Sequence, residues 1–226
     1  MAQNHIECVS LTKKYNSKNQ TVTAVDNINL SIRQNELVIL KGRSGAGKST
    51  LLNLMCGLIK PTNGKVMIDN DSITEMQDNT LSRLLSEKIG IIFQDFNLLP
   101  TYTVYENIEI ALVPRRSDRS LVRDNIFSLL SQFNLKEKAY LMPSELSAGQ
   151  QQKVAIIRSL VKQPTVIFAD EPTGSVDDAT AQEIMDHLIY LKKEKNVTLV
   201  IATHGNIAEK IADNVFTIEN GKLIMY

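Results

Sequence analysis

Apolar and polar positions follow two rhythms along this chain, and the changes between them predict its elements. The N-terminal runs Ile6 to Leu11, Val22 to Ile32 and Glu36 to Leu40 are short and β-rich, which predicts three strands. From Lys48 to Leu58 the spacing turns helical, with Leu51, Leu52, Leu54 and Met55 on one face and Pro61 and Gly64 beyond its end. Lys65 to Ile68 and Ile89 to Phe93 predict further strands, with a polar helix around Asn79 to Glu87 between them. Helical spacing then dominates, over about Val104 to Val113, Asp118 to Phe133 and Gln150 to Gln163, interrupted near Pro114 and Pro143. After Pro164 the run Val166 to Ala169 is apolar without a break, the pattern of a parallel strand covered on both faces. A helix over Asp178 to Lys195, a second apolar run over Thr198 to Ala202 and a hairpin turning at Asn220 and Gly221 complete the order.

This order predicts one α/β unit over residues 1–226: a mostly parallel sheet, an N-terminal antiparallel β part and a helical subdomain inserted at about 97–163. Lysine and arginine number 25, as do aspartate and glutamate, so no strong basic field exists to hold nucleic acid. Cys8 and Cys56 lie in apolar surroundings without a CxxC spacing and are expected as buried thiols in a reducing compartment. The first ten residues lack the basic start and apolar core of a secretory leader, and no apolar run approaches the ~20 residues of a spanning helix. A role at a membrane would have to come through a partner.

The candidate chemistry starts at Gly42. Gly42, Arg43, Ser44, Gly45, Ala46, Gly47, Lys48 and Ser49, followed by Thr50, fit GxxxxGK[ST] between a predicted strand and a predicted helix. In that setting backbone N–H groups curl around a phosphate, the helix presents the positive end of its dipole, Lys48 reaches the outer phosphates and Ser49 ligates Mg²⁺. The strand Val166 to Ala169 delivers Asp170 and Glu171 at its C-terminal end, where open α/β sheets bind ligands. Two adjacent buried acids are costly without a cation, which assigns Asp170 to Mg²⁺ and Glu171 to the attacking water; alone, Glu171 also suits a helix-start acid.

Together with Leu146, Ser147, Ala148, Gly149 and Gln150, these motifs resemble the nucleotide-binding subunits of ABC transporters, and the resemblance spans the chain. It implies an ATP- and Mg²⁺-dependent ATPase that works as a homodimer, the Ser147, Gly149 and Gln150 signature of one copy closing on the γ-phosphate held by the other. It also implies that Tyr15 stacks on adenine, that Gln94 senses Mg²⁺ and the water, that His204 contacts the γ-phosphate and that Asp177 ends a loop crossing the dimer. Tyr15 alone would equally be an exposed tyrosine, and Asp177 would equally cap the next helix. Where Ala148 stands the family usually has glycine; if that position needs a left-handed backbone, alanine would cost about 1 kcal/mol.

The stretches Gln94 to Pro100 and Thr103 to Asn107 resemble the macrolide-exporter, lipoprotein-release and cell-division branch of that family. The branch implies a separate permease, a cytoplasmic site on the inner face of the membrane, and export-type work. Two other readings stay open: an ATPase transmitting force to an enzyme or sensor outside the membrane, and a soluble ABC protein of translation or repair. Phe96, Leu98, Leu99, Tyr102 and Tyr105 form either a dock for the permease or part of the core.

Overall fold

The computed structural model describes residues 4–17, 20–115, 119–204 and 211–224. Its larger sheet has six strands: β3 (Leu37–Lys41), β6 (Ile89–Ile92), β7 (Val166–Asp170), β8 (Thr198–Thr203), β9 (Asn214–Glu219) and β10 (Lys222–Ile224). They lie in the order β10-β9-β3-β8-β7-β6, parallel throughout except for the β9–β10 hairpin. The smaller sheet is antiparallel, in the order β2-β1-β4-β5, from β1 (Asn4–Asn16), β2 (Thr21–Arg33), β4 (Asn63–Ile68) and β5 (Asp71–Ser72).

The unbroken apolar runs are explained by two cores, one on each face of the parallel sheet. Leu37, Ile39, Ile167, Ala169, Leu199 and Ile201 enter one core, which they share with buried residues of α3 (Val104–Glu109), α4 (Arg119–Gln132), α5 (Ala148–Leu160) and α6 (Asp178–Lys195). Their neighbours Val38, Leu40, Val166, Phe168, Val200 and Ala202 enter the other, with α1 (Lys48–Met55) and the small sheet. Alternate strand residues point to opposite faces, so a strand covered twice must be apolar at every position. Helix α2 (Asp78–Glu87) buries none of its residues, though Leu81, Leu84 and Leu85 pack on the second core.

The predicted elements stand with shifted boundaries, the first strand running on to Asn16 rather than Leu11 and the helix expected to reach Gln163 ending at Leu160. The helix expected from Gln150 begins at Ala148, the one expected to Leu58 stops at Met55, and the one expected to Val113 gives way to a 3-10 helix at Ile110. The expected start of α4 at Asp118 lies outside the described residues. Asn220 and Gly221 both take positive φ, 48° and 78°, the geometry of a two-residue type I′ hairpin turn. Cys8 and Cys56 are buried, unpaired thiols, and burial pushes both up to about 12.

Candidate active site

Four parallel strands end at one edge of the sheet, and each delivers a residue of interest just past its last hydrogen bond. Gly42 follows β3, Gln94 lies two residues beyond β6, Glu171 follows β7 and His204 follows β8. The register places Lys41 beside Thr203 and Asp170 beside Ala202, so these ends lie side by side. They open into a cleft of about 510 Å³ walled by Arg43, Ser44, Gly45, Gly47, Lys48, Ser49, Thr50, Gln94, Glu171, Gly174 and His204, with Ala24 of the small sheet.

The loop from Gly42 to Gly47 is fixed from behind by the β9–β10 turn. Gly221 donates its N–H to the Ala46 carbonyl at 3.0 Å, and its own carbonyl accepts from Asp26 at 2.8 Å. A side chain at Gly47 would collide with the Ala24 carbonyl oxygen, and φ there is 108°, so the motif's third glycine is required both by contact and by conformation. The N-terminus of α1 then faces the cleft without a side-chain cap, leaving its first N–H groups as anion donors.

Inside the cleft, charge is arranged around Glu171. Lys48 is buried; its Nζ donates to the carbonyls of Gly42 at 2.8 Å and Arg43 at 3.3 Å and stands 3.7 Å from Glu171 Oε1. His204, its side chain 71% exposed, places Nδ1 2.9 Å from the same Oε1. Glu171 itself has a left-handed backbone, φ 46°, tied by its N–H to the Ala202 carbonyl at 2.8 Å. A non-glycine residue held there is strained, and such strain concentrates at functional positions.

Asp170 is the complementary feature. Burial pushes its carboxyl above the usual carboxylate range, with Glu171 adding to the rise, while the Ser49 hydroxyl bond and Lys48 pull the other way. Its Oδ1 is buried and, among the described residues, has no hydrogen-bond partner. A carboxylate with one orphaned oxygen, bonded to the hydroxyl of Ser49, which lines the cleft together with Gln94, suits a hard divalent cation that takes its other ligands from phosphate and water. Mg²⁺ fits Ser49, Asp170 and Gln94 on that ground.

The sequence pattern of the ABC transporter family covers residues 25–174. The chain belongs to this family. The methionine import ATP-binding protein MetN of Staphylococcus saprophyticus is 40% identical over 220 residues, which are 97% of this chain but 64% of MetN. The lipoprotein-releasing system ATP-binding protein LolD of Buchnera aphidicola is 36% identical over 218 residues, 96% of this chain and 95% of LolD. The ATP-binding cassette MJ0796 of Methanocaldococcus jannaschii, in a dimeric post-hydrolysis structure with ADP and Pi, superposes with a TM-score of 0.93 at 35% identity over 97% of each chain. The chain is thus an ABC-type ATPase with the cassette fold, and its homologues include LolD and MJ0796, in keeping with the macrolide-exporter, lipoprotein-release and cell-division branch.

In this cassette the signature does not line the cleft. Ser147 caps α5, its hydroxyl accepting from Gln150 N at 3.4 Å while the Gln150 side chain accepts from Ser147 N at 3.1 Å, a capping box. The expectation for Ala148 needs correction. It is the first residue of α5, outside the positive-φ set, where alanine is the best helix former and carries no left-handed strain. Gly149, expected just ahead of the helix, lies inside its first turn for a packing reason: an added Cβ would stand 2.9 Å from Thr180 Cγ2.

Tyr15 is 46% exposed, with Lys13 Nζ 5.3 Å from its ring centroid, and it is not among the cleft walls. Asp177 caps α6, accepting from Thr180 N at 2.9 Å and Thr180 Oγ1 at 2.8 Å, and the first of these bonds holds its carboxyl below the usual range. The aromatic cluster divides. Leu98 and Tyr105 pack on the core, Tyr105 against Phe127 and Tyr140 at 5.9 and 6.4 Å, while Leu99 and Tyr102 stand exposed.

Three supporting residues had no structural role assigned from the sequence, although Asn107 falls in the stretch that carries the branch resemblance. Fully buried Asn107 donates to the carbonyls of Leu99, Tyr102 and Thr103 and accepts from Leu99 N, which shapes the loop after Gln94. Arg158 of α5 donates to the Asn97 and Phe96 carbonyls at 2.5 and 2.8 Å. Gln152, 2% exposed, donates to the Pro172 carbonyl at 2.8 Å. Their signal was a polar side chain at the spacing of a buried helical face; Gln152 lies three and four positions before buried Ala155 and Ile156.

Proposed function

We propose that two copies of this chain clamp ATP between them and hydrolyse it to drive a separate membrane permease. The observation that carries the reading is the division of labour just described. One edge of the sheet gathers the phosphate loop, Lys48, Asp170, Glu171 and His204, while the Ser147-capped start of α5 lies outside that cleft. A second anion site on a different surface is what a partner's γ-phosphate requires. The dimeric MJ0796 cassette with ADP and Pi supports this arrangement.

Within each site, Lys48 exchanges its loop carbonyls and Glu171 for phosphate oxygens, and the N–H groups of Gly45 to Ser49 cradle the β-phosphate. Ser49, Asp170 and Gln94 would hold Mg²⁺, which when bound would supply positive charge to offset that of the phosphates. Once Lys48 turns to phosphate, Glu171 accepts a hydrogen bond from the attacking water and aims it at the γ-phosphorus. His204 keeps Glu171 oriented through the 2.9 Å contact and meets the γ-phosphate with its exposed edge. Tyr15 stacks on adenine by swinging toward the cleft mouth near Ala24.

The chain acts as one unit over 1–226, with the helical part at about 97–163 carrying the permease-facing surface, Leu99 and Tyr102. It works on the cytoplasmic face of the membrane through that permease; among the described residues no helix is long and apolar enough to cross a membrane. Export-type or release-type work is favoured by LolD, which matches end to end, whereas the importer subunit MetN is matched over only 64% of its length.

Glu171→Gln tests the reading. It should retain ATP binding, lose at least ~100-fold in turnover and migrate as a dimer on sizing chromatography with ATP, because the carboxylate serves chemistry rather than affinity. A Glu171→Gln chain that stays monomeric with ATP and still turns over would refute it.

A further inference from the structure

We infer that Gln152 is a positioning residue, a strut between the signature helix α5 and the backbone that carries Glu171. The inference rests on the proposed function above and extends it to a residue with no contact to nucleotide.

A glutamine buried to 2% exposure in the middle of a helix is costly unless its amide is used. Gln152 uses one half: Nε2 donates to the Pro172 carbonyl at 2.8 Å, while Oε1 has no hydrogen-bond partner among the described residues. An apolar side chain of the same length would remove the orphaned oxygen but take the donor from the Pro172 carbonyl, so the one bond the glutamine makes is what its burial serves. What the amide holds is the residue immediately after Glu171, whose backbone is in the left-handed region at φ 46°.

Two further ties hold α5 against α6, the helix that follows that segment. Gly149 approaches Thr180 so closely that no Cβ fits, and Lys153 Nζ pairs with Glu183 Oε2 at 2.6 Å with only 13% of the lysine side chain exposed. Gln152 thus lies within about one and a half turns of Ser147 and Gly149, which face the partner's nucleotide in the proposed dimer, and one hydrogen bond from the peptide that follows this chain's own Glu171. Contact at one nucleotide is transmitted through α5 to the geometry of the other.

Gln152→Met keeps length and removes the donor. In the full-length chain, kcat for ATP should fall about tenfold with KM within about twofold, because ground-state contacts are untouched. In the Glu171→Gln background the same change should leave single-turnover hydrolysis within about twofold and the ATP-dependent dimer intact, since the strut acts through the missing carboxylate. If Gln152→Met misfolds, Gln152→Leu, which also lacks a donor and buries no charge, should show the same pattern. Unchanged kcat, a rise in KM matching the loss, or a loss that multiplies undiminished in the Glu171→Gln background would overturn the strut. Failure of Glu171→Gln itself to trap a dimer would instead strike the clamp reading, so the two failures are distinguishable.

Discussion

Lys48 shows how a single side chain is prepared for its ligand. Its Nζ already sits among acceptors, two loop carbonyls and Glu171, so the cleft holds the ammonium in place rather than leaving a flexible tether to be ordered on binding. Removing it has two consequences. Lys48→Ala should abolish most of the stabilisation that saturating Mg-ATP gives in thermal unfolding, which for a ligand at 100 times its Kd is about 2.7 kcal/mol. Glu171 would remain paired with His204, so the folded chain without nucleotide should lose little; a full thermal shift on adding Mg-ATP to Lys48→Ala would contradict the role given to it here. The phosphate loop was legible because glycines, lysine and serine at that spacing between a strand and a helix suit a phosphate. The acid pair was legible because two carboxylates at the end of a buried strand call for a cation. Gln152 and Arg158 were not, since their partners are backbone carbonyls 20 and 61 to 62 residues away, and carbonyls carry no sequence.

At the scale of elements, α5 separates two glycine positions that look alike in sequence. Ala148→Gly, a change toward the common family pattern, should destabilise the chain by about 0.5–1 kcal/mol, since it adds backbone freedom to the first turn of a helix. Gly149→Ala should cost more, about 1–3 kcal/mol, because Thr180 is β-branched and pinned by Asp177 and yields poorly to a Cβ 2.9 Å from its methyl. Urea unfolding of both variants checks the order, and Gly149→Ala proving the milder change would remove the packing explanation. The element pattern itself was readable because period 2 and period 3.6 are properties of the chain. The start of α5 was misplaced because a Ser147 to Gln150 capping box announces a helix starting inside the signature, a local bond that outweighs the poor propensity of Gly149. That the helices between β6 and β7 share a core with the parallel sheet was not readable at all, since both halves of that contact are ordinary apolar residues.

For the whole molecule, the proposed clamp is an isologous interface, in which each copy lends its signature to the site of the other. Ser147→Arg should block closure without touching its own phosphate loop, and Lys48→Ala should empty its own site without touching its signature. Each alone should be inactive. Mixed in equal amounts, half of the dimers pair one of each and contain one complete site of two, so about a quarter of the unmodified ATPase rate should return. Steady-state ATPase assays of the mixture measure this directly, and the absence of any recovery would place both halves of the pocket within one copy.

The strand that feeds the phosphate loop has a further consequence for how the protein is made. β3 is paired on one side with Thr198–Thr203 and on the other with Asn214–Glu219, and the loop it carries leans on Gly221. Synthesis therefore passes through a long interval in which residues 37–47 have left the ribosome but have neither neighbour to bond to. The loop gains its supports only once Thr198–Thr203, Asn214–Glu219 and Gly221 have been made, so a product stalled in translation before Thr198 has no finished cradle in which to hold ATP.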